Sequence, residues 1–565
     1  MKALETSLRN LLEGTKQFQI PLFQRPYSWN KENWQALWED LLSIYKKEVE
    51  GSYFLGPIVT ESRHGTAEGI SPFTVIDGQQ RLTTLTLLLA TLRDYIKKNK
   101  PNLQEIADEI HEESLINRFK KDDKHYKILP TQEDRDIYKS IINNTCKETE
   151  TGKICEAYDF FYEKICNPNP DLEEETELQC ELFKTVILEK LVFINITSDQ
   201  EQDDPYLIFE SLNYKGQELT QADLVRNYIF MQLPNEKREK LYKEKWMPIQ
   251  EEFKADLKDS GDSAKELTTA FWTFLRKDGK SVSQKNVYKE TKNYFKGNKI
   301  EQKLERLTRF TRYYQRIRFC ERESNSKLRE KFYRLNRLDF TTSRIFLINI
   351  YDCYENEIIS LQDFLKILQY LESYFVRRLF VKILTKSLGG VFTKLYSQIQ
   401  KKGYKDLVEG LHATLSEFEG NKRWPNNQEF CENFISFSLY NQNQRERAKM
   451  ILESLENWQN KEQVNPNNLT IEHIMPQKLN ESWQEMLGER YDTIHKEWLH
   501  TVGNLTLTAY NSELSDKPFK EKKEYLSDSN ISLNRYFENV SVWNEEEIKR
   551  RADHLADKAV EIWPR

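Results

Sequence analysis

Glycine and proline are both scarce, 18 and 16 among 565 residues. That excludes an all-β architecture built on tight turns, and it excludes long flexible linkers. Cysteine is sparse and scattered: Cys146, Cys155, Cys166, Cys180, Cys320, Cys353 and Cys431 are odd in number and form no CxxC pair. A zinc ribbon or a disulfide framework does not fit that pattern, and reduced thiols in a cytosol are expected. Long apolar runs are missing. The most apolar stretch, Leu82 to Leu92, is interrupted by threonines and is too short to span a bilayer. The opening MKALETSLRNLLEG is amphipathic but has no signal-peptide core, so a cytoplasmic protein with no membrane partner is expected. An excess of positive charge is missing too. With a net charge of −6, any nucleic-acid binding must come from local patches.

Aromatic residues and helical periodicity are plentiful. Thirty Phe, 28 Tyr and 11 Trp provide apolar area for several cores, and the length suits about three or four domains. Residues 1–100 read as mixed α and β. YFLGPIVT (53–60) and FTVID (73–77) read as strands, and FQIPLFQRPYSW (18–29) as an extended element before a helix near Lys31. From Gln79 the apolar positions Leu82, Leu85, Leu89, Leu92 and Ile96 fall on one helical face. LVFINIT (191–197) is a further strand, and residues 209–230 read as helix, turn and capped helix. From about 236 to 455 the periodicity is helical throughout. The expected fold is α+β and predominantly α-helical, with domains at 1–235, 236–440 and 441–565.

The segment 280–337 is the most basic: 18 Lys and Arg against six Glu, 18 − 6 = +12. Tyr288, Tyr294, Phe310, Tyr313, Tyr314 and Phe319 interleave with those charges. Two readings stand side by side. One is a basic helical face that grips a DNA backbone. The other is a solvated face paired with acidic helices elsewhere.

The densest chemistry lies at LTIEHIMPQ (469–477) and VGNLTLTAYNSELSDKPFKEK (502–522). Phosphodiester hydrolysis needs a base for the attacking water, and a neutral histidine near its ordinary pKa suits that task. It also needs a cation such as Mg²⁺ at the leaving oxygen, held by hard oxygen ligands. LTIEHI alternates as a strand that Pro476 ends, GNLTLT reads as a second strand, and Asn511 opens a helix carrying Phe519 and Lys522. Strand, strand and helix can bring a base and a metal ligand together across a cleft.

At the other end, FTVIDGQQRLTTL (73–85) sets Asp77 at a strand end and Gly78 at a turn, with Gln79, Gln80 and Arg81 opening a helix. A helix N-terminus offers free amides and a positive dipole end, a ready anion site. Arg81 adds a planar fork for phosphate oxygens, and Asp77 suits a metal or a water.

EHIxP, GNLTLT and N-S-x-x-S-x-K-x-F together resemble the HNH (ββα-metal) nuclease pattern, with Glu472 in place of the more usual Asp. IPxFQRPYSW, DGQQRLTTL and FESLNxxGxxLTxxDLVRN resemble the N-terminal domain of the GmrSD-type modification-dependent (type IV) restriction enzymes over about residues 8–230. ESYFVRRLF and TKSLGGVFTKL (372–395) resemble that family's helical connector. The resemblance implies a ParB/sulfiredoxin-like N-terminal domain that hydrolyses a nucleoside triphosphate, a helical middle and a C-terminal HNH nuclease. It implies His473 as general base, Asn504 orienting the imidazole, Glu472 and Asn511 holding a divalent cation, and Lys517 and Lys520 toward phosphate. His495 and His500 read as structural or phosphate-facing. No structural zinc is implied, because cysteine knuckles are absent. At the N-terminus it implies a nucleotide pocket lined by Gln24, Arg25, Asp77, Gly78, Gln79, Gln80 and Arg81, completed by Asn213, Asp223 and Arg226. The implied partner is DNA, modified phage DNA above all. A related phosphorothioate-sensing (SspE-like) branch ties the IPxFQRxY stretch to sensing the modification, while Tyr27 and Trp29 also suit a plain core. An enzyme that depends on phosphorothioation or merely nicks, a nucleotide-regulated DNA-binding protein with an inactive nuclease, and a homo-oligomer all remain open.

Overall fold

The computed structural model describes residues 2–47, 51–62, 69–146, 151–167, 178–198, 220–257, 260–386, 388–460 and 468–565. The chain separates into two compact units, Met1–Glu251 with Thr291–Leu304, and Glu252–Glu290 with Glu305–Arg565. The described architecture is α+β and predominantly helical, as composition suggests. No helix among the described residues is long and apolar enough to cross a membrane, and all seven cysteines are free thiols.

The first unit is built on a six-stranded mixed sheet of order β1-β6-β3-β4-β2-β5. Its strands are β1 (Lys2–Ser7), β2 (Lys16–Gln19), β3 (Tyr53–Ser62), β4 (Ser71–Asp77), β5 (Ile128–Leu129) and β6 (Leu191–Ser198). β3 is parallel to β6 and antiparallel to β4. The helix Gln79–Asn99 leaves β4 through Gly78, whose φ of 93° lies in the left-handed region that glycine enters without strain. Its face from Leu82 to Ile96 is buried beside Trp34, Trp38 and Phe161 in one core. The strands expected at 53–60, 73–77 and 191–197 and the helix from Gln79 all form. The amphipathic opening residues divide into strand β1 and the short helix Leu8–Leu12. Residues 209–219 lie outside the described residues, while the capped helix after them, Gln221–Met231, is present with Thr220 and Asp223 as a capping box.

Among its described residues the second unit is helical apart from β7 (Thr470–His473) and β8 (Leu505–Thr508), an antiparallel pair. The helix Leu361–Phe380 and the last helix, Glu545–Ile562, share an interior: buried Arg377 donates from Nε to the Trp563 carbonyl (2.7 Å), and Ser373 donates to the same oxygen (3.0 Å). The connector and the C-terminal region therefore fold around common partners. In the basic segment, Phe310, Tyr313 and Tyr314 are core residues. Arg309, Arg316, Arg318, Arg322, Arg334 and Arg337 pair with Asp352, Glu355, Glu266, Asp256, Glu372 and Glu453. For these residues the acid-paired reading is the one the structure bears out.

Candidate functional site

β7 ends at His473, opposite Leu505 of β8, with Glu472 opposite Thr506. Both Glu472 and His473 are 5% exposed. The helix Phe519–Ser527 lies against this pair through Lys522, which is 0% exposed. Its ammonium donates to Glu472 Oε1 at 2.6 Å and to the His473 carbonyl at 2.9 Å. Strand, strand and helix thus meet, with one difference from expectation. Asn511 opens a separate short helix, Asn511–Leu514, which ends at Ser515 with φ 37° before the Phe519 helix begins.

The imidazole of His473 is surrounded. Its Nε2 and His500 Nδ1 share a hydrogen bond of 3.0 Å, and the Tyr440 ring stands edge-on at 4.7 Å. Burial first, then the charges of His500, Lys522 and His495, lower its pKa to about 3. His473 is therefore neutral, but it is not near its ordinary pKa as the sequence suggested. His495 is turned away, with Nε2 on the Pro476 carbonyl at 2.9 Å.

Asn504 does not orient that imidazole. Its Oδ1 accepts from Met475 N–H (2.7 Å) and Trp543 Nε1 (3.0 Å), and its Nδ2 donates to the Met475 and Leu499 carbonyls (3.0 and 2.9 Å). The amide's two donors and two lone pairs are all used. Asn504 clamps the backbone just after His473. Its neighbour Gly503 lies so close to the last helix that a Cβ would stand 2.3 Å from the Ile548 carbonyl oxygen. Buried Arg551 donates to the carbonyls of Gly503 and Leu505 (2.8 and 2.7 Å). His500 was visible in the sequence only as a nearby histidine. Trp543 and Arg551, far along the chain, carried no signal.

Asn511 is exposed, and the structure records no hydrogen bond joining it to Glu472. Lys517 Nζ bonds the Tyr525 hydroxyl at 3.1 Å, and Lys520 is exposed. Among the described residues no group of three His, Cys, Asp or Glu side chains is arranged to hold a metal.

In the first unit the loop residues at 77–81 do gather, together with Arg25, Asp223 and Arg226. Arg81 donates to Asp77 Oδ2 (3.2 Å) and to the Leu55 carbonyl (2.9 Å). Gly56, φ 105°, makes room for it, since a Cβ there would stand 2.3 Å from Arg81 Nη1. Burial raises the Asp77 pKa against the pull of Arg81 and Arg25. Arg25 lies within electrostatic reach of Asp223, Arg226 and Asp77, and Arg226 pairs with Asp223 at 2.8 Å. Three guanidiniums against two carboxylates leave one net positive charge, 3 − 2 = +1. Gln24 donates to the Val75 and Ile76 carbonyls (2.9 and 3.0 Å), while its Oε1 is buried without a partner among the described residues. Gln80 serves structure: its Oε1 accepts from Ser28 N–H (2.8 Å) and Trp29 N–H (3.3 Å). Tyr27 is a core residue, bonded to Thr84 and Trp34. Gln79 opens the helix after Gly78, and Asn213 lies outside the described residues.

Residues 8–230 match the family model described as GmrSD restriction endonuclease, N-terminal domain, and residues 424–558 match the one described as GmrSD restriction endonucleases, C-terminal domain. A search of curated proteins finds no match.

Proposed function

This chain belongs to the GmrSD restriction endonuclease family, and from that premise we propose how its two ends divide the work. Membership indicates a type IV, modification-dependent DNA endonuclease whose partner is DNA. The finer reading is ours: a ParB/sulfiredoxin-like first unit that hydrolyses a nucleoside triphosphate and controls an HNH-type nuclease site around His473, in defence against modified phage DNA.

The observation that carries the nuclease reading is His473 at the end of β7, neutral and backed by strand β8 and the Phe519–Ser527 helix. A base with a pKa of about 3 accepts a proton poorly. A DNA phosphate arriving beside it favours the charged imidazolium and raises that value. Substrate binding thereby strengthens the base that takes the proton of the attacking water.

A divalent cation is a poorer fit. Such an ion needs several hard oxygen ligands. Here Glu472 already carries the Lys522 ammonium at 2.6 Å, a charge that repels a cation. We therefore route no step through a metal. The same pair supports the alternative of a nucleotide-regulated DNA-binding protein without cleavage, because it neutralises the carboxylate beside His473. For the nucleotide, the net positive cluster of Arg25, Arg81 and Arg226 at the start of the Gln79–Asn99 helix suits a polyphosphate.

Incubating the full chain with modified and unmodified plasmid, with Mg²⁺ or EDTA and with or without nucleoside triphosphate, tests the reading. Cleavage confined to modified DNA with nucleotide present supports it. DNA binding with no cleavage in any arm leaves the non-cleaving alternative.

A further inference from the structure

One hydrogen bond, His473 Nε2 to His500 Nδ1 at 3.0 Å, joins two imidazoles, and a single proton lies between them. Two neutral arrangements are available. In the first, His500 donates and His473 accepts at Nε2, so the neutral His473 must carry its own proton on Nδ1. In the second, His473 donates from Nε2 and keeps a lone pair on Nδ1, while His500 carries its proton on Nε2.

The surroundings separate the two. The His473 ring is buried, and among the described residues no hydrogen bond reaches its Nδ1. The first arrangement puts an N–H at that position and leaves His473 no lone pair to face an attacking water, so it cannot act as the base. The second leaves only a lone pair there, and it places the remaining N–H on His500, whose half-buried ring reaches solvent. His500 is itself fixed. Its carbonyl accepts from Leu439 and Tyr440 N–H (2.8 and 3.2 Å), and the Tyr440 ring stacks on its ring at 5.5 Å and 28°. On the other side Lys522 holds the His473 carbonyl. The imidazole of His473 cannot turn over without breaking the bond to His500.

We infer that His500 is a positioning residue: it accepts the Nε2 proton of His473, locks that tautomer, and leaves His473 Nδ1 as the atom that takes the proton from the attacking water. The inference rests on the reading of His473 as general base. His500 acts only through His473, in the place that Asn504, its amide fully occupied by the backbone and Trp543, does not fill.

The test uses the full chain as His473→Ala, His500→Ala and His500→Asn, assayed for cleavage of modified DNA. An Asn Oδ1 reaches about where the His500 Nδ1 stands and accepts the same N–H. His500→Ala is expected to lower kcat by about 10–100-fold with KM little changed, the usual scale for losing an orienting partner, and His500→Asn to recover most of the loss. Long-range ¹H–¹⁵N spectra of chain labelled at histidine nitrogen are expected to show His473 as the Nε2–H tautomer in the wild type, and as a mixture in His500→Ala. Wild-type cleavage by His500→Ala while His473→Ala is inactive overturns the inference alone, as does an Nδ1–H tautomer in the wild-type spectrum. Full activity in His473→Ala overturns the base assignment, and the positioning role falls with it.

Discussion

Replacing Lys522 with methionine removes an ammonium that is 0% exposed and keeps most of the side chain's volume. It leaves Glu472, itself 5% exposed, as a buried carboxylate without its cation, and it takes a donor from the His473 carbonyl. Breaking one partner of a buried pair costs about 3–5 kcal/mol. Burial raises the Glu472 pKa and lowers that of Lys522 even while they are paired, so desolvation already outweighs their mutual attraction. Two consequences follow. Without Lys522 the Glu472 pKa rises further. Since the charged form is the disfavoured one, the deficit is full well above that raised pKa and shrinks as pH falls through it. The double variant Glu472→Leu, Lys522→Met removes both charges and is expected to regain at least about 2 kcal/mol over the single variant, since apolar replacements of buried pairs are often neutral or better. Thermal melting gives the size of the effect. Hydrogen exchange across β7 and the Phe519–Ser527 helix shows whether the opening is local. A loss below about 1 kcal/mol in Lys522→Met, or a double variant no more stable than the single one, refutes the reasoning.

Gly503→Ala places a Cβ 2.3 Å from the Ile548 carbonyl and is expected to destabilise the C-terminal region by about 1–3 kcal/mol in thermal melts; an unchanged melting temperature contradicts this. Arg81→Ala and Asp77→Ala are each expected to cripple nucleoside triphosphate hydrolysis, and Arg81→Lys not to restore it, because lysine lacks the fork. Gly56→Ala, which pushes Arg81 off its partners, should reproduce that loss in the same phosphate-release assay; normal hydrolysis in all four makes the loop structural. His111 has its pKa lowered to about 4 by burial and then by Arg93, so the unfolded chain takes up the proton first. Stability is expected to decline as pH falls from the ordinary 6.5 toward about 4. His111→Gln should flatten that slope in acid melts, and an unchanged slope rules His111 out as its source.

The strands and helix around Gly78 were legible because alternation changes to helical spacing at a residue that only glycine fills easily. The EHI strand was legible from its alternation, but it ends at His473, before Pro476. Local pattern does not specify distant partners, and there expectation and structure part. Asn504 stands in a motif, yet what it holds is decided by Met475 and by Trp543, 39 residues further on. Lys522 reads only as a lysine on a helix, because nothing in its neighbourhood announces its ion pair with Glu472 of β7. The basic segment 280–337 reads equally as a face that grips DNA or as a solvated face paired with acidic helices. Only the acidic partners on other helices, such as Asp352 and Glu266, decide between the two. Arg377 likewise finds its partner far along the chain, in the carbonyl of Trp563.

The central claim is that His473 cuts DNA and that modification licenses the cut. A nuclease site that touches phosphates has little means of reading bases, so discrimination has to come from another part of the chain. The most direct test is the initial rate of cleavage of modified phage DNA and of the same sequence unmodified, by wild type and His473→Ala. Enzyme is kept low, salt physiological and nucleoside triphosphate present. The account predicts fast cleavage of modified DNA by the wild type, far slower cleavage of unmodified DNA, and a loss of about 10²–10⁴-fold in the variant. Equal rates on both DNAs, or a variant that cuts as the wild type does, would contradict it.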